Sequence, residues 1–260
     1  MVSNLRDPIV NDLQDLFDIK VSFNDPGVAH FGLENAVLPV GKDFLEVVSP
    51  VEENTTAGRY LNRRGGDGGY MVIIQVDDFF ETQNIVKENN ITVVWESEHP
   101  EARAIHLHPK ELGGAILSLD WMNPKESWKW AGPNWDDFVN TSIIKRFVGV
   151  EIQSDDPEGM KNKWQSVLRM PSENISNRQI DLDNTWIRFV EDKDILQSAD
   201  LTRGWRTHLF VAGAVLEVST IRVSPSEVVS RFCLGLFHKC PPFVATLILH
   251  NIIEYNRIKN

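Results

Sequence analysis

Three times along this chain an apolar stretch of strand length runs into an acidic or Asp-Pro turn and then into apolar positions at helical spacing. The first instance is residues 2–5, then Arg6-Asp7-Pro8, then Ile9, Leu13, Leu16 and Phe17. The second is residues 70–76, then Asp77-Asp78, then Phe79, Phe80, Ile85 and Val86. The third is residues 147–152, then Asp155-Asp156-Pro157, then Met160, Trp164, Val167 and Leu168. Apolar residues three or four apart line one side of a helix. Asp suits the junctions because its carboxylate caps the exposed amides at a helix start, and Pro is tolerated in the first turn. The junctions stand 70 residues apart (Asp7 to Asp77) and then 78 (Asp77 to Asp155). A period that long, with one helix per unit, predicts duplicated α+β modules and not a solenoid.

After the first helix the pattern predicts strands at 28–32, 36–40 and 44–48; after the second, at 91–97, 102–108 and 114–121. Turn residues such as Gly41-Lys42-Asp43 and Leu112-Gly113-Gly114 separate them, as hairpins require. The third unit is shorter, with strands expected at 178–182 and 185–190. A connecting helix is expected over 55–64, followed by the loop Gly65-Gly66-Asp67-Gly68-Gly69. A Trp-rich connector holds Trp121, Trp128, Trp130 and Trp135. The expected organisation is paired modules over 1–124 (module one 1–54, module two 70–124), a connector and partial third module over 125–194, and an atypical extension over 195–260.

Composition narrows the partners. A net charge of −11 argues against nucleic acid, whose phosphates need clustered Lys and Arg, and against anionic membrane surfaces. No apolar run approaches the ~20 residues of a bilayer crossing, and the start of the chain lacks a basic region followed by a hydrophobic stretch, so a cytoplasmic location is expected. Cys233 and Cys240 alone build no disulfide framework or zinc motif. Residues 197–260 carry a net +3 and the preceding 196 a net −14. This change of character suggests a species-specific extension or an aberrant gene end, the latter favoured because no repeat unit continues into it.

The segments GVAHFGLENAVLPVGKDFLEVVSP (27–50), YMVIIQVDD (70–78) and IHLHPKELGGAILSLD (105–120) resemble the strands of the vicinal-oxygen-chelate, or glyoxalase-like, superfamily. The resemblance covers residues 1–192 and is stronger over 1–122. It implies an α+β fold of paired βαβββ modules forming a curved mixed sheet around a small-molecule cleft. It leaves the reaction open, because the superfamily hosts isomerases, epimerases, dioxygenases, thiol transferases and drug-binding proteins. Its metal-dependent members hold one divalent ion on His, Gln or Glu from the first and fourth strands of each module, which polarises paired substrate oxygens. Carried over, those positions fall one residue before Met1 and on Glu46, Met71 and Ser118. Only Glu46 is a competent ligand for a hard ion, so no metal site and no cofactor are expected.

The remaining candidates are weighed singly. Glu46 lies in the otherwise apolar Phe44-Leu-Glu-Val-Val48, where an inward carboxylate is costly unless paired; it suits a general base with a raised pKa or a structural partner. His106 and His108 share a strand face, as acid–base or cleft-lining groups, although His108 precedes Pro109 at a turn. His30 would face the cleft if Ala29 and Phe31 pack on the helix side. Ser118 and Asp120 share a face and could touch substrate, although Asp120 also suits a strand-end cap; Met71, at a first-strand ligand position, is a further substrate-binding candidate. The Gly65–Gly69 loop lacks the Lys-Ser/Thr of a phosphate loop and suits an inter-module turn.

The expected function is therefore a small-molecule cleft protein, an isomerase- or lyase-type enzyme on a small carbonyl compound, using Glu46 with His30 or His106. The alternatives are non-catalytic binding of the drug-sequestering kind and a degenerate structural relative. Modules could pair within the chain or between two copies in a homodimer.

Overall fold

The computed structural model describes residues 1–170, 178–191, 208–211 and 214–218. The expected extension over 195–260 lies outside the described residues except for two strands, and Cys233 and Cys240 lie outside them altogether. The described chain forms two compact units: Met1–Gly69 with Trp130–Phe147 and the strands within 208–218, and Tyr70–Lys129 with the described residues from Val148 to Glu191.

In the first unit, helix α1 (Arg6–Phe17) turns Ile9, Val10, Leu13, Leu16 and Phe17 inward. The hairpin of β1 (Leu33–Val40) and β2 (Asp43–Pro50) answers with Ala36, Leu38, Val40, Leu45 and Val47. Helix α2 (Thr56–Arg64) starts at Thr55, whose hydroxyl accepts the Gly58 amide at 2.9 Å. The strand expected at 2–5 is only a bridge: Val2 pairs in parallel with Val48 and antiparallel with Gly68. Asp67 explains the interruption. Its carboxylate accepts the Ser3 hydroxyl (2.9 Å) and the Asn4 amide (2.8 Å), drawing the chain out of the ladder. The loop at Gly65–Gly69 is thus a turn whose own carboxylate fastens the start of the chain.

The strand expected at 28–32 is instead a 3-10 helix, Pro26–Phe31. The local chemistry decides this: Asp25 accepts the Gly27 amide at 2.8 Å, and Pro26 fixes a helical φ at the first position. Gly32 ends the turn at φ +67°, where an added Cβ would sit 2.8 Å from the Thr55 methyl. The cap also differs at α1, where Leu5 makes no side-chain cap. At the other two junctions Asp78 and Asp156 accept the Glu81 and Gly159 amides at 2.9 Å, as expected.

The second unit holds a complete βαβββ module: β3 (Met71–Gln75), α3 (Phe79–Glu88), β4 (Val93–His99), β5 (Ala102–Leu107) and β6 (Ile116–Met122). Its strand order is β3-β6-β5-β4, with β3 parallel to β6 and the remaining pairs antiparallel. Beyond this module, β7 (Ile144–Gln153) pairs in parallel with β9 (Trp186–Val190), which pairs antiparallel with β8 (Gln179–Asp181); β10 (His208–Val211) and β11 (Ala214–Val218) form an antiparallel pair of their own. Helix α4 (Pro157–Val167) follows β7. The fold is α+β with βαβββ topology, as the sequence indicates.

Alternation along each strand sorts the side chains of this unit. Ile105, Leu107, Leu117 and Leu119 pack with Phe79 and Val86 of α3, and with Met160, Trp164 and Val167 of α4. Trp164 is fully buried, edge-on to Phe189 at 5.6 Å, and its indole N–H donates to the Leu112 carbonyl at 3.0 Å. Trp164→Ala should therefore cost about 3–5 kcal/mol, whereas Leu5→Ala, at a residue 68% exposed, should change stability by less than about 0.5 kcal/mol. Urea denaturation of both variants checks this, and similar midpoints for the two would contradict the assigned core.

Candidate functional site

Since the odd-numbered residues of β5 and β6 face α3, their even-numbered residues share the opposite face. Cross-strand register places Ile73, Ser118, His106 and Trp95 in one row across β3, β6, β5 and β4. The next row holds Gln75, Asp120, Ala104 and Ser97. Met71 stands opposite Ile116 in the same series. Four of the candidates, Met71, His106, Ser118 and Asp120, thus occupy a single sheet face turned away from α3.

His106 is half-buried and its ring lies 4.4 Å from the Trp95 ring, tilted by 41°. Burial pushes its pKa down to about 4, because the imidazolium loses water and gains too little in return. It is therefore neutral at pH 7. Ser118 is fully buried; its hydroxyl donates to the Asp120 carboxylate, with the Ile105 carbonyl at 3.5 Å. Asp120 is buried too, so the two satisfy one another. His108 lies just past β5, where its Nδ1 accepts the Lys110 amide at 3.2 Å, which gives it a turn-forming role.

Glu46 belongs to the first unit. Its neighbours Leu45 and Val47 point to α1, so its own side chain lies on the other face of the hairpin. The Asn35 amide donates to Glu46 Oε1 at 2.6 Å and accepts the Asp25 backbone amide at 2.7 Å. Burial holds the Glu46 carboxyl above the usual range; the Asn35 hydrogen bond and the Met1 ammonium pull it back in part, and Asp25 adds to the rise. His30 is exposed on the 3-10 helix, edge-on to Phe31 at 5.2 Å. With no strand at 28–32, the alternation that would have aimed His30 into a cleft does not exist.

Two of the positions at which the sequence resemblance would place metal ligands are poor donors for a hard divalent ion. Met71 offers a thioether, and the Ser118 hydroxyl is engaged by Asp120. Among the described residues no group of three or more His, Cys, Asp or Glu is placed to hold a metal. No helix of the described residues is long and apolar enough to cross a membrane.

Sequence reasoning missed Trp95 and Asn35. The register that sets Trp95 beside His106 depends on a bulge between Val93 and Trp95 in β4, which no short pattern encodes. Asn35 had a usable signal, as an amide within the apolar run of β1 two residues before Val37, the partner of Glu46.

The lowered pKa of His106 has a stability consequence. The unfolded chain takes up the proton first, near pH 6.5, so the contribution of the neutral ring is complete above that pH and is lost as the pH falls toward 4. The full effect is at most about 3 kcal/mol. In an NMR titration His106 should protonate near pH 4, and His106→Gln should flatten the loss of stability between pH 6.5 and 4. A midpoint near 6.5 for His106 would contradict its burial.

No family model matches the chain, and no curated protein matches it. Among solved structures it is similar to methylmalonyl-CoA epimerase of Streptomyces coelicolor in complex with 2-nitronate-propionyl-CoA, at 17% identity over 48% of this chain and 92% of that one, with a TM-score of 0.43. It is also similar to methylmalonyl-CoA epimerase from Mycobacterium tuberculosis, at 17% identity over 46% and 83% of the two chains, with a TM-score of 0.42. A hypothetical protein from Bacillus halodurans C-125 gives 19% identity over 46% and 88%, with a TM-score of 0.41. Each likeness spans less than half of this chain. The strand order β3-β6-β5-β4 with α3 between the first two strands in sequence makes this part of the chain a βαβββ module.

Proposed function

We propose that the protein is an isomerase-type enzyme that moves a proton next to the carbonyl of a small compound, with its ligand on the face of β3-β6-β5-β4 turned away from α3. The observation that carries the reading is His106: a neutral imidazole in tilted ring contact with Trp95 and in register with Ser118. Such a ring can take a proton from the carbon beside a carbonyl and return it, which is what a positioned general base does. The enolate left between the two steps needs a donor at its oxygen. Ser118 can serve if its hydroxyl turns from Asp120. Trp95 offers a flat apolar surface to the rest of the ligand. Glu46, in its own unit, is a second proton acceptor, with Asn35 fixing its carboxylate.

Non-catalytic ligand binding at the same face is the other reading. It draws support from the mutual satisfaction of Ser118 and Asp120, which leaves no nucleophile poised.

The test is deuterium incorporation from heavy water into methylmalonyl-CoA, the ligand named for one similar structure, and into a panel of simple α-substituted thioesters and ketones. Exchange should occur with at least one, and His106→Asn should slow it by about 10²-fold. Full exchange in His106→Asn with loss in Glu46→Gln would move the base to Glu46 and overturn the role of His106. A ligand-induced rise in melting temperature without exchange would favour binding alone.

A further inference from the structure

Arg103 lies on the opposite face of the same sheet, the one that meets α3, and is used by nothing above. Its guanidinium carbon stands 4.7 Å from the Phe80 ring, 5.2 Å from the Trp121 ring and 5.9 Å from the Phe79 ring. Nε is buried and has no hydrogen-bond partner, and among the described residues none accepts a hydrogen bond from this side chain or pairs with its charge. An arginine cannot shed its proton to escape that position. Aromatic faces offset part of the desolvation and hold the planar group in one orientation, but they supply no acceptor for its N–H groups.

Carboxylates of the adjoining segments are engaged elsewhere. Asp77 is paired with Lys125, Glu101 with Lys129 and Glu81 with Arg169. Asp78 caps α3 through the Glu81 amide. Glu98 stands opposite Arg103 in the β4–β5 register, yet it is exposed and forms no ion pair with it. A half-buried guanidinium, walled by three rings and lacking an acceptor, has the form of a receptor for a group that brings two oxygens. Phe80, 58% exposed, leaves one side of this cage open to solvent.

We infer that Arg103, walled by Phe80 and Trp121, is a binding site for the carboxylate or phosphate group of a small solute, separate from the face that carries His106. Planar, forked donors match both oxyanions, and bidentate pairing gives strength that a point charge does not. Glu98 would compete with the anion from across the strand.

The experiment follows the arginine Nε–H resonances of the full chain by NMR while sodium phosphate, sodium acetate or sodium chloride is added at equal ionic strength. The resonance missing from Arg103→Gln identifies Arg103. It should shift and saturate with phosphate or with acetate and not with chloride, and the anion that acts in the lower concentration range names the preferred class. Glu98→Gln, at an exposed position that leaves the fold intact, should tighten that binding several-fold; Phe80→Ala, also exposed, should weaken it. Should Arg103→Gln fail to fold, those two variants still report. No saturable shift with either oxyanion, or the same response to chloride, would overturn the site.

Discussion

One helix per sheet is the constraint on which this molecule depends. A strand sends alternate side chains to opposite faces, and a single helix can cover only one of them. In the second unit that rule commits Ile105, Leu107, Leu117 and Leu119 to the core with α3 and α4. It leaves Ala104, His106, Ser118 and Asp120 on the other face. In the first unit the same rule gives Leu45 and Val47 to α1 and leaves Glu46 on the far side. The polar residues with chemistry are thus presented where the core does not need them.

Burial then acts on those residues in opposite directions. Loss of water disfavours the charged form of any group, so it raises the carboxyl of Glu46 and lowers the imidazole of His106. The rise moves the titration of Glu46 toward neutrality, whereas the fall moves that of His106 away from it and keeps the ring uncharged at pH 7. Asn35 steadies Glu46 and Trp95 steadies His106, one by hydrogen bonding and the other by ring contact. Arg103 has ring contacts but, among the described residues, no hydrogen-bond acceptor, which sets it apart from the Arg188–Glu151 pair, where each charge has a partner at 3.1 Å.

Much of this was legible in the sequence because it depends on period alone. The helix positions Leu13, Ile85 and Trp164 are buried as their spacing indicated, and the shared face of Ser118 and Asp120 follows from their separation by two. Failures came where a specific hydrogen bond overrode the pattern. Asp25 and Pro26 convert an apolar run that looked like a strand into a 3-10 turn, which takes His30 out to solvent. Asp67 reduces another expected strand to the bridge at Val2. Trp95 and Arg103 owe their neighbours to register between strands, and register is a long-range property that a single strand's sequence does not carry.

The central claim is that a ligand occupies the sheet face that carries His106. The most direct measurement uses the full chain labelled with fluorotryptophan, with the Trp95 resonance assigned through Trp95→Phe. On addition of a small carbonyl compound that raises the melting temperature, the Trp95 resonance is predicted to shift in step with binding, because its ring flanks His106 at 4.4 Å. A Trp95 resonance that stays fixed while other tryptophans respond would place the ligand elsewhere and contradict the account.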